Sequence, residues 1–219
     1  MKKTPHLLWG IAFLVSILTS CAAVVTYEPL KPPSPGAVCP TIFPETDFRA
    51  VHRIEISSAR SGKSAFIGAV KCEPDKSTLH AVLMSAEGMV IFEAAVKKGA
   101  FRIISAFPPL DDSVFARGLM ADVSFLLLKP AGMPMETGLD RQGLMTCRWS
   151  AAAGGVIEQS MMRAGAVRIR RYNQAGRITK EALALPPFDR GLPVAMHLKV
   201  SGPVKYFIDL KLLEVKWVN

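Results

Sequence analysis

The chain has 219 residues, of which 50% are hydrophobic, and this composition provides enough apolar side chains for the core of a single domain. Its 27 Lys and Arg exceed its 18 Asp and Glu, for a formal charge of +9. The N-terminus described next indicates export from the cytoplasm. An exported protein does not meet nucleic acid, so we expect this positive charge to attract anionic lipid headgroups or to aid solubility.

The N-terminal residues have the parts of a secretory signal peptide. Lys2 and Lys3 precede a short apolar run, Leu7 to Leu18, which small residues follow. A membrane span needs about 20 apolar residues, so an uncleaved anchor is the second interpretation and a soluble secreted form the third. The sequence LTSC at positions 18–21 resembles the bacterial lipobox, in which the cysteine receives diacylglycerol.

The lipobox resemblance implies that residues 1–20 are removed and that Cys21 becomes an acylated N-terminus held by membrane lipid. Two or three acyl chains make release from a bilayer negligible. Ala22, where a retained lipoprotein would have Asp, implies an outer-membrane address on the periplasmic face. Loss of Lys2 and Lys3 leaves 25 basic residues against 18 acidic ones, a charge of about +7.

Three further cysteines follow, at positions 39, 72 and 147, and their spacing fits no zinc motif. An oxidising compartment permits one disulfide among them and leaves one thiol free. The sequence leaves open whether Cys72 and Cys147 pair, and burial is the expectation for the remaining thiol.

Six of the 17 residues from Glu28 to Pro44 are proline. Proline fixes φ and removes a hydrogen-bond donor, so this stretch cannot be a central strand. We predict that residues 21–45 are the lipidated cysteine and an extended tether, and that one domain spans residues 46–219.

Alternation of apolar and polar residues predicts antiparallel strands through most of the domain. At Leu212-Leu213 the alternation changes parity, which predicts a β-bulge. The predicted strands cover 48–57, 64–73, 78–84, 89–97, 100–106, 143–150, 155–163, 166–172, 177–185, 194–200 and 204–217.

One segment, residues 110–128, has apolar residues at helical spacing instead. Asp111 or Asp112 is suited to cap its start, Pro130 ends it, and Gly118 weakens its middle. The predicted fold class is therefore α+β but mostly β: a strongly curved antiparallel sheet, or half-open barrel, with a helical lid or plug.

No catalytic pattern accompanies these elements. His52, His80 and His197 each fall in an alternating strand, and no G-x-S-x-G motif precedes a helix. We predict no enzyme activity, no cofactor and no metal site.

Two stretches resemble the LolA/LolB-like lipoprotein-carrier superfamily and the uncharacterised outer-membrane lipoproteins related to it. They are STLHAVLMSAEGMVIFEAAVKKGAFRIISAFPPLDDSVFARGLM (77–120) and FDRGLPVAMHLKVSGPVKYFIDLKLLEVKWVN (188–219). The resemblance implies an open barrel whose apolar interior binds the acyl chains of lipoproteins. One departure concerns membrane delivery, because Glu87 stands at the hairpin tip where the receiving member exposes an apolar residue.

Within this fold, twelve apolar residues are predicted to line the cavity: Leu79, Val90, Phe92, Phe101, Ile103, Val114, Phe115, Leu119, Met196, Leu198, Ile208 and Leu210. Three hypotheses result. The first is an outer-membrane lipoprotein that binds or transfers acyl chains or lipoproteins. The second is a structural or assembly lipoprotein with envelope partners and a filled core, and the third is an enzyme. An empty barrel and a filled one need the same inward aliphatic residues, so the sequence does not separate the first two.

Overall fold

The computed structural model describes residues 28–33, 38–40, 42–59, 62–151, 154–202 and 204–218. This part of the chain forms one curved, antiparallel sheet of twelve strands and one α-helix, α1 (Ser113–Leu127), with a 3₁₀ turn at Pro74–Lys76. The strands are β1 (Phe48–Ser58), β2 (Gly62–Glu73), β3 (Thr78–Met84), β4 (Val90–Lys97), β5 (Ala100–Ala106), β6 (Glu136–Leu139), β7 (Met145–Ser150), β8 (Val156–Met161), β9 (Val167–Tyr172), β10 (Ile178–Asp189), β11 (Leu192–Val200) and β12 (Tyr206–Trp217). The predicted fold class is confirmed.

The order of strands explains the position of the helix. Across the sheet it is β5-β4-β3-β2-β1-β12-β11-β10-β9-β8-β7-β6, so the first and last strands pair at the centre. β5 and β6 form the two edges, and α1 lies between them in the sequence. The connection from one edge to the other therefore carries the helix into the concavity of the sheet.

Helix α1 begins where the sequence predicts a cap. The carboxylate of Asp112 accepts hydrogen bonds from the backbone N–H groups of Val114 and Phe115, at 3.0 and 2.8 Å. The helix is continuous through Gly118. Its inward residues, among them Met120, Leu126 and Leu127, pack with the inner face of the sheet in a single apolar core.

The predicted bulge at Leu212-Leu213 is confirmed. Val51 of β1 pairs with Glu214, but the next residue, His52, pairs with Leu212. Leu213 is thus the extra residue, and its side chain is 54% exposed. The bulge lets Leu212 on one side and Val215 on the other both pack against the core.

The prediction of a free proline-rich tether is corrected wherever the structure describes this segment. Lys31 exchanges two backbone hydrogen bonds with Leu139 of β6, at 2.8 and 2.9 Å. Ile42 and Phe43 are 1% and 3% exposed and belong to the core. Proline excludes a segment from the middle of a sheet but not from its edge. Burial of the apolar residues between the prolines stabilises the folded state.

This N-terminal segment passes around the edge strand β6. On the outer face, the Arg148 guanidinium donates to the carbonyl of Glu28 at 2.7 Å. A Cβ at Gly138 would lie 2.3 Å from the Lys31 carbonyl oxygen, so glycine is required for this close approach. On the inner face, Cys39 forms a disulfide with Cys147. The edge is therefore covered, which blocks pairing with another chain.

The disulfide settles the cysteine pairing. It joins residues separated by 108 positions, and closing a loop of that length stabilises a fold by about 5 kcal/mol in the chain-entropy model. Cys72 is the free thiol and is buried, as expected. Burial raises the pKa of the Cys72 thiol to about 12, and Asp47 and Glu73 add to this effect, so the thiol stays protonated at neutral pH.

The buried side chain of His52 makes the stability of the fold depend on pH. Its side chain is 2% exposed on the inner face of β1, and burial lowers its pKa from 6.5 to about 4. Because the folded chain binds this proton less readily than the unfolded chain, the stability from neutral His52 is present above pH 6.5. It is lost as the pH falls towards 4, by about 3 kcal/mol in total.

We therefore expect the free energy of unfolding, measured in urea at pH 7 and pH 4, to fall less in His52→Gln than in the unsubstituted protein. The difference should be about 3 kcal/mol. His197→Gln is the matched control, because His197 is exposed on β11, and it should retain the pH dependence that His52 causes. Equal pH dependence in all three proteins would contradict this role for His52.

Candidate functional site

A cleft runs along one side of α1, between the helix and two separate parts of the sheet. Its volume is about 800 Å³, which falls within the usual range of ligand pockets, about 300–1,000 Å³. In the part of the chain that the structure describes, this cleft leaves part of the concave face of the sheet accessible. Its lining is mostly apolar.

One face of α1 forms the floor of the cleft. Positions 117, 120, 121, 124, 125 and 128 share one face of a helix, because they recur at intervals of three and four. The corresponding side chains are Arg117, Met120, Ala121, Ser124, Phe125 and Leu128. From the first to the last, this stripe is about 16 Å long at 1.5 Å per residue. The small residues Ala121 and Ser124 leave the space that a larger side chain would fill.

The walls come from both halves of the sheet. Val96 of β4 and Phe101 of β5 form one wall, and Ile157 of β8 and Arg171 of β9 form the other. Phe43, from the N-terminal segment, closes the base. The cleft therefore depends on the path of the segment that was predicted to be a tether.

The charged residues that line the cleft are all basic: Arg117, Lys129 and Arg171. No carboxylate is among its described lining residues. The Arg117 guanidinium lies 4.9 Å from the centre of the Phe101 ring, a distance typical of a cation–π contact. This contact holds the charge of Arg117 at the rim of an apolar wall.

A second polar cluster holds α1 to the sheet. Asp122 is 1% exposed, pairs with Lys180 of β10 and accepts a hydrogen bond from the Tyr206 hydroxyl of β12. Burial and the charge of Asp122 raise the pKa of Tyr206 above its usual range, so Tyr206 stays a donor. The Lys180 ammonium also lies 5.9 Å from the Phe125 ring centre. One buried carboxylate thus connects the helix to two strands.

The structure distributes the twelve predicted lining residues among three environments. Leu79, Phe92, Met196, Leu198 and Ile208 are buried in the packed core, and Phe101, Ile103, Leu119 and Leu210 are partly buried against it. Of the twelve, Phe101 is the one that lines the cleft.

The remaining three positions are corrections, because Val90, Val114 and Phe115 are 37%, 79% and 51% exposed. Val114 and Phe115 occupy the first turn of α1, on a side that the sheet does not cover. Helical spacing indicates which residues share a face but not which face has a partner. Val90 lies beyond a register shift at the end of β4, where the hairpin leaves the core.

Several cleft residues were missed by sequence reasoning. Met120, Ala121 and Ser124 carry a signal, since a stripe of small and apolar residues lies on one side of the predicted helix. Arg171 carries none, because Arg168 and Arg170 in the same strand are also basic. Cys21, the predicted lipid attachment site, lies outside the described residues.

The other predicted features of the chain can be located as well. His80 lies 2.9 Å from Glu93, and His197 lies 2.5 Å from Asp209, each pair on adjacent strands. The described residues contain no cluster of three His, Cys, Asp or Glu side chains suited to hold a metal ion. Among these residues, no helix is both long and apolar enough to cross a membrane.

Comparison with known proteins gives a likeness at the level of structure. No protein-family model matches the sequence, and no curated protein matches it either. Among solved structures, the chain is similar to a LolA superfamily protein from Nitrosomonas europaea, with 10% identity and a TM-score of 0.48. The match covers 81% of this chain and 88% of the other.

We expect Asp122→Asn to lower the free energy of unfolding by about 3 kcal/mol, because it leaves the Lys180 ammonium in the core without its counter-charge. Denaturation in urea, monitored by tryptophan fluorescence, measures the change. Tyr206→Phe, which removes a single hydrogen bond to the carboxylate, should cost less, about 1.5 kcal/mol.

The double variant Asp122→Asn/Lys180→Met separates the charge effect from loss of packing. It removes the unpaired ammonium while keeping similar volume, so it should recover part of the stability lost in Asp122→Asn. If Asp122→Asn is as stable as the unsubstituted protein, the cluster does not hold α1 in the way described.

Proposed function

We propose that this protein is an outer-membrane lipoprotein, on the periplasmic face, that binds the acyl chain of a lipid or of another lipoprotein without catalysing a reaction. The observation that carries the proposal is the cleft of about 800 Å³ along α1, with its mostly apolar lining. When an apolar chain covers this accessible apolar surface, burial stabilises the complex by roughly 25 cal/mol per Å².

Two features support the export and anchoring part of the proposal. The LTSC sequence at positions 18–21 resembles a lipobox, and the Cys39–Cys147 disulfide is typical of an oxidising compartment outside the cytoplasm. Acylated Cys21 is the proposed membrane attachment.

A structural or assembly lipoprotein is the second candidate, and one observation favours it. Most predicted lining residues pack against each other and against α1, so most of the concave face is filled. Apolar residues are exposed elsewhere, as at Met133 and Met135, which are 87% and 57% exposed just before β6. An envelope partner would cover these methionines rather than the cleft.

A neutral fluorescent dye, N-phenyl-1-naphthylamine, tests the cleft as a binding site. We expect protein freed of co-purified lipid to bind the dye with increased fluorescence, and Ala121→Trp to weaken binding at least about tenfold, because the indole fills the floor of the cleft. Val114→Trp is the matched control on the same helix, at an exposed position, and should bind normally. Absence of dye binding would favour the assembly role.

Mass spectrometry of gently purified protein tests the anchor. We expect a mature chain that starts at Cys21 and carries acyl chains, together with co-purified lipid. Cys21→Ser should lose the modification and leave the membrane fraction. An unmodified chain that retains residues 1–20 would contradict lipoprotein processing without bearing on the cleft.

A further inference from the structure

We propose that the cleft along α1 selects amphiphiles with an anionic headgroup, which Arg117 and Lys129 bind while the apolar tail lies on the floor of the cleft. The inference rests on the proposed binding function and adds the chemical class of the ligand. A carboxylate or a phosphate would supply the same negative charge.

The charge of the cleft supports this choice. The two basic residues on α1 and in the turn after it, Arg117 and Lys129, lie at opposite ends of the apolar stripe. Arg171 adds positive charge on the β9 wall. An amphiphile that lies along the stripe therefore has a cation near its headgroup in either direction.

The buried carboxylate of α1, Asp122, does not cancel this charge. Asp122 is next to Ala121 in the sequence, but it points to the sheet, where Lys180 and Tyr206 bind it. Asp122 therefore leaves the positive charges of Arg117 and Lys129 to a ligand. The apolar walls increase their effect, because charges interact more strongly beside a medium of low dielectric constant than in water.

Arg117 is suited to bind an anion for a second reason. Its contact with the Phe101 ring, 4.9 Å from the ring centre, restrains the guanidinium, so less side-chain entropy is lost when it forms hydrogen bonds. Guanidinium groups bind carboxylates and phosphates through two parallel hydrogen bonds. Lys129 provides a mobile point charge.

The experiment is a set of displacement titrations with the bound dye, using three competitors with the same 14-carbon chain: tetradecanol, myristate and tetradecyl phosphate. We expect both anions to displace the dye at about tenfold lower concentration than the alcohol, which corresponds to one charge-assisted hydrogen bond. Added salt should reduce this preference. A preference for the phosphate alone would identify phosphate as the headgroup.

The double variant Arg117→Gln/Lys129→Gln should lose the preference and bind tetradecanol as before. Arg163→Gln/Lys205→Gln is the control, since it removes the same net charge from exposed positions outside the cleft lining, and it should keep the preference. Arg117→Lys in place of Arg117→Gln should restore part of it.

Two negative results are distinguishable. If dye binds but the native protein responds equally to the alcohol and to both anions, the headgroup inference is overturned and the binding function stands. The same holds if the control double variant loses the preference as fully as the cleft variant, since net charge then explains it. If the dye does not bind, both proposals fail.

Discussion

The structure depends on one constraint: an antiparallel sheet that curves without closing has an apolar concave face that water must not reach. In this chain α1 covers that face, and the order of strands makes this the natural solution, because the helix lies in the connection between the two edge strands. A single 15-residue helix is too narrow to fill a concavity of twelve strands. The cleft is a part of the concave face that the helix leaves uncovered.

The second constraint is the exposed edge of the sheet. β6 has four residues, and a strand this short at an edge is weak unless its free backbone groups find partners. Lys31 of the N-terminal segment supplies partners for both backbone groups of Leu139, and the Cys39–Cys147 disulfide holds the segment against the sheet. The same segment brings Phe43 to the base of the cleft. Protection of the edge and formation of the cleft are therefore two results of one chain path.

Much of the fold could be predicted from local patterns. Alternation located eleven of the strands, the parity change located the bulge at Leu213, and Asp112 could be recognised as a cap. Strand β6 could not be predicted, because its sequence, ETGL, has no alternation long enough to distinguish it from a loop. The packing of the proline-rich segment was also missed, since pairing at an edge depends on a partner more than 100 positions away.

The cleft was less predictable than the fold. Alternation identified Met196 and Leu198 as facing the inside of the sheet. Whether such residues line a cavity or a packed core depends on the volume that α1 fills. That volume is set by how the helix lies on the sheet, and the sequence gives only the helix face. Small residues on that face, Ala121 and Ser124, were the available signal.

The route of the N-terminal segment also changes the picture of the anchor. If Cys21 is the attachment point, as proposed, seven Cα–Cα steps would separate the membrane from Glu28, which is already bonded to Arg148. These steps span at most about 25 Å, much less than a free tether that continues to residue 45. A domain held so close would have its cleft within reach of the leaflet that anchors it. A ligand could then pass from that leaflet to the cleft without a long path through water, which is where exposing an acyl chain costs the most free energy.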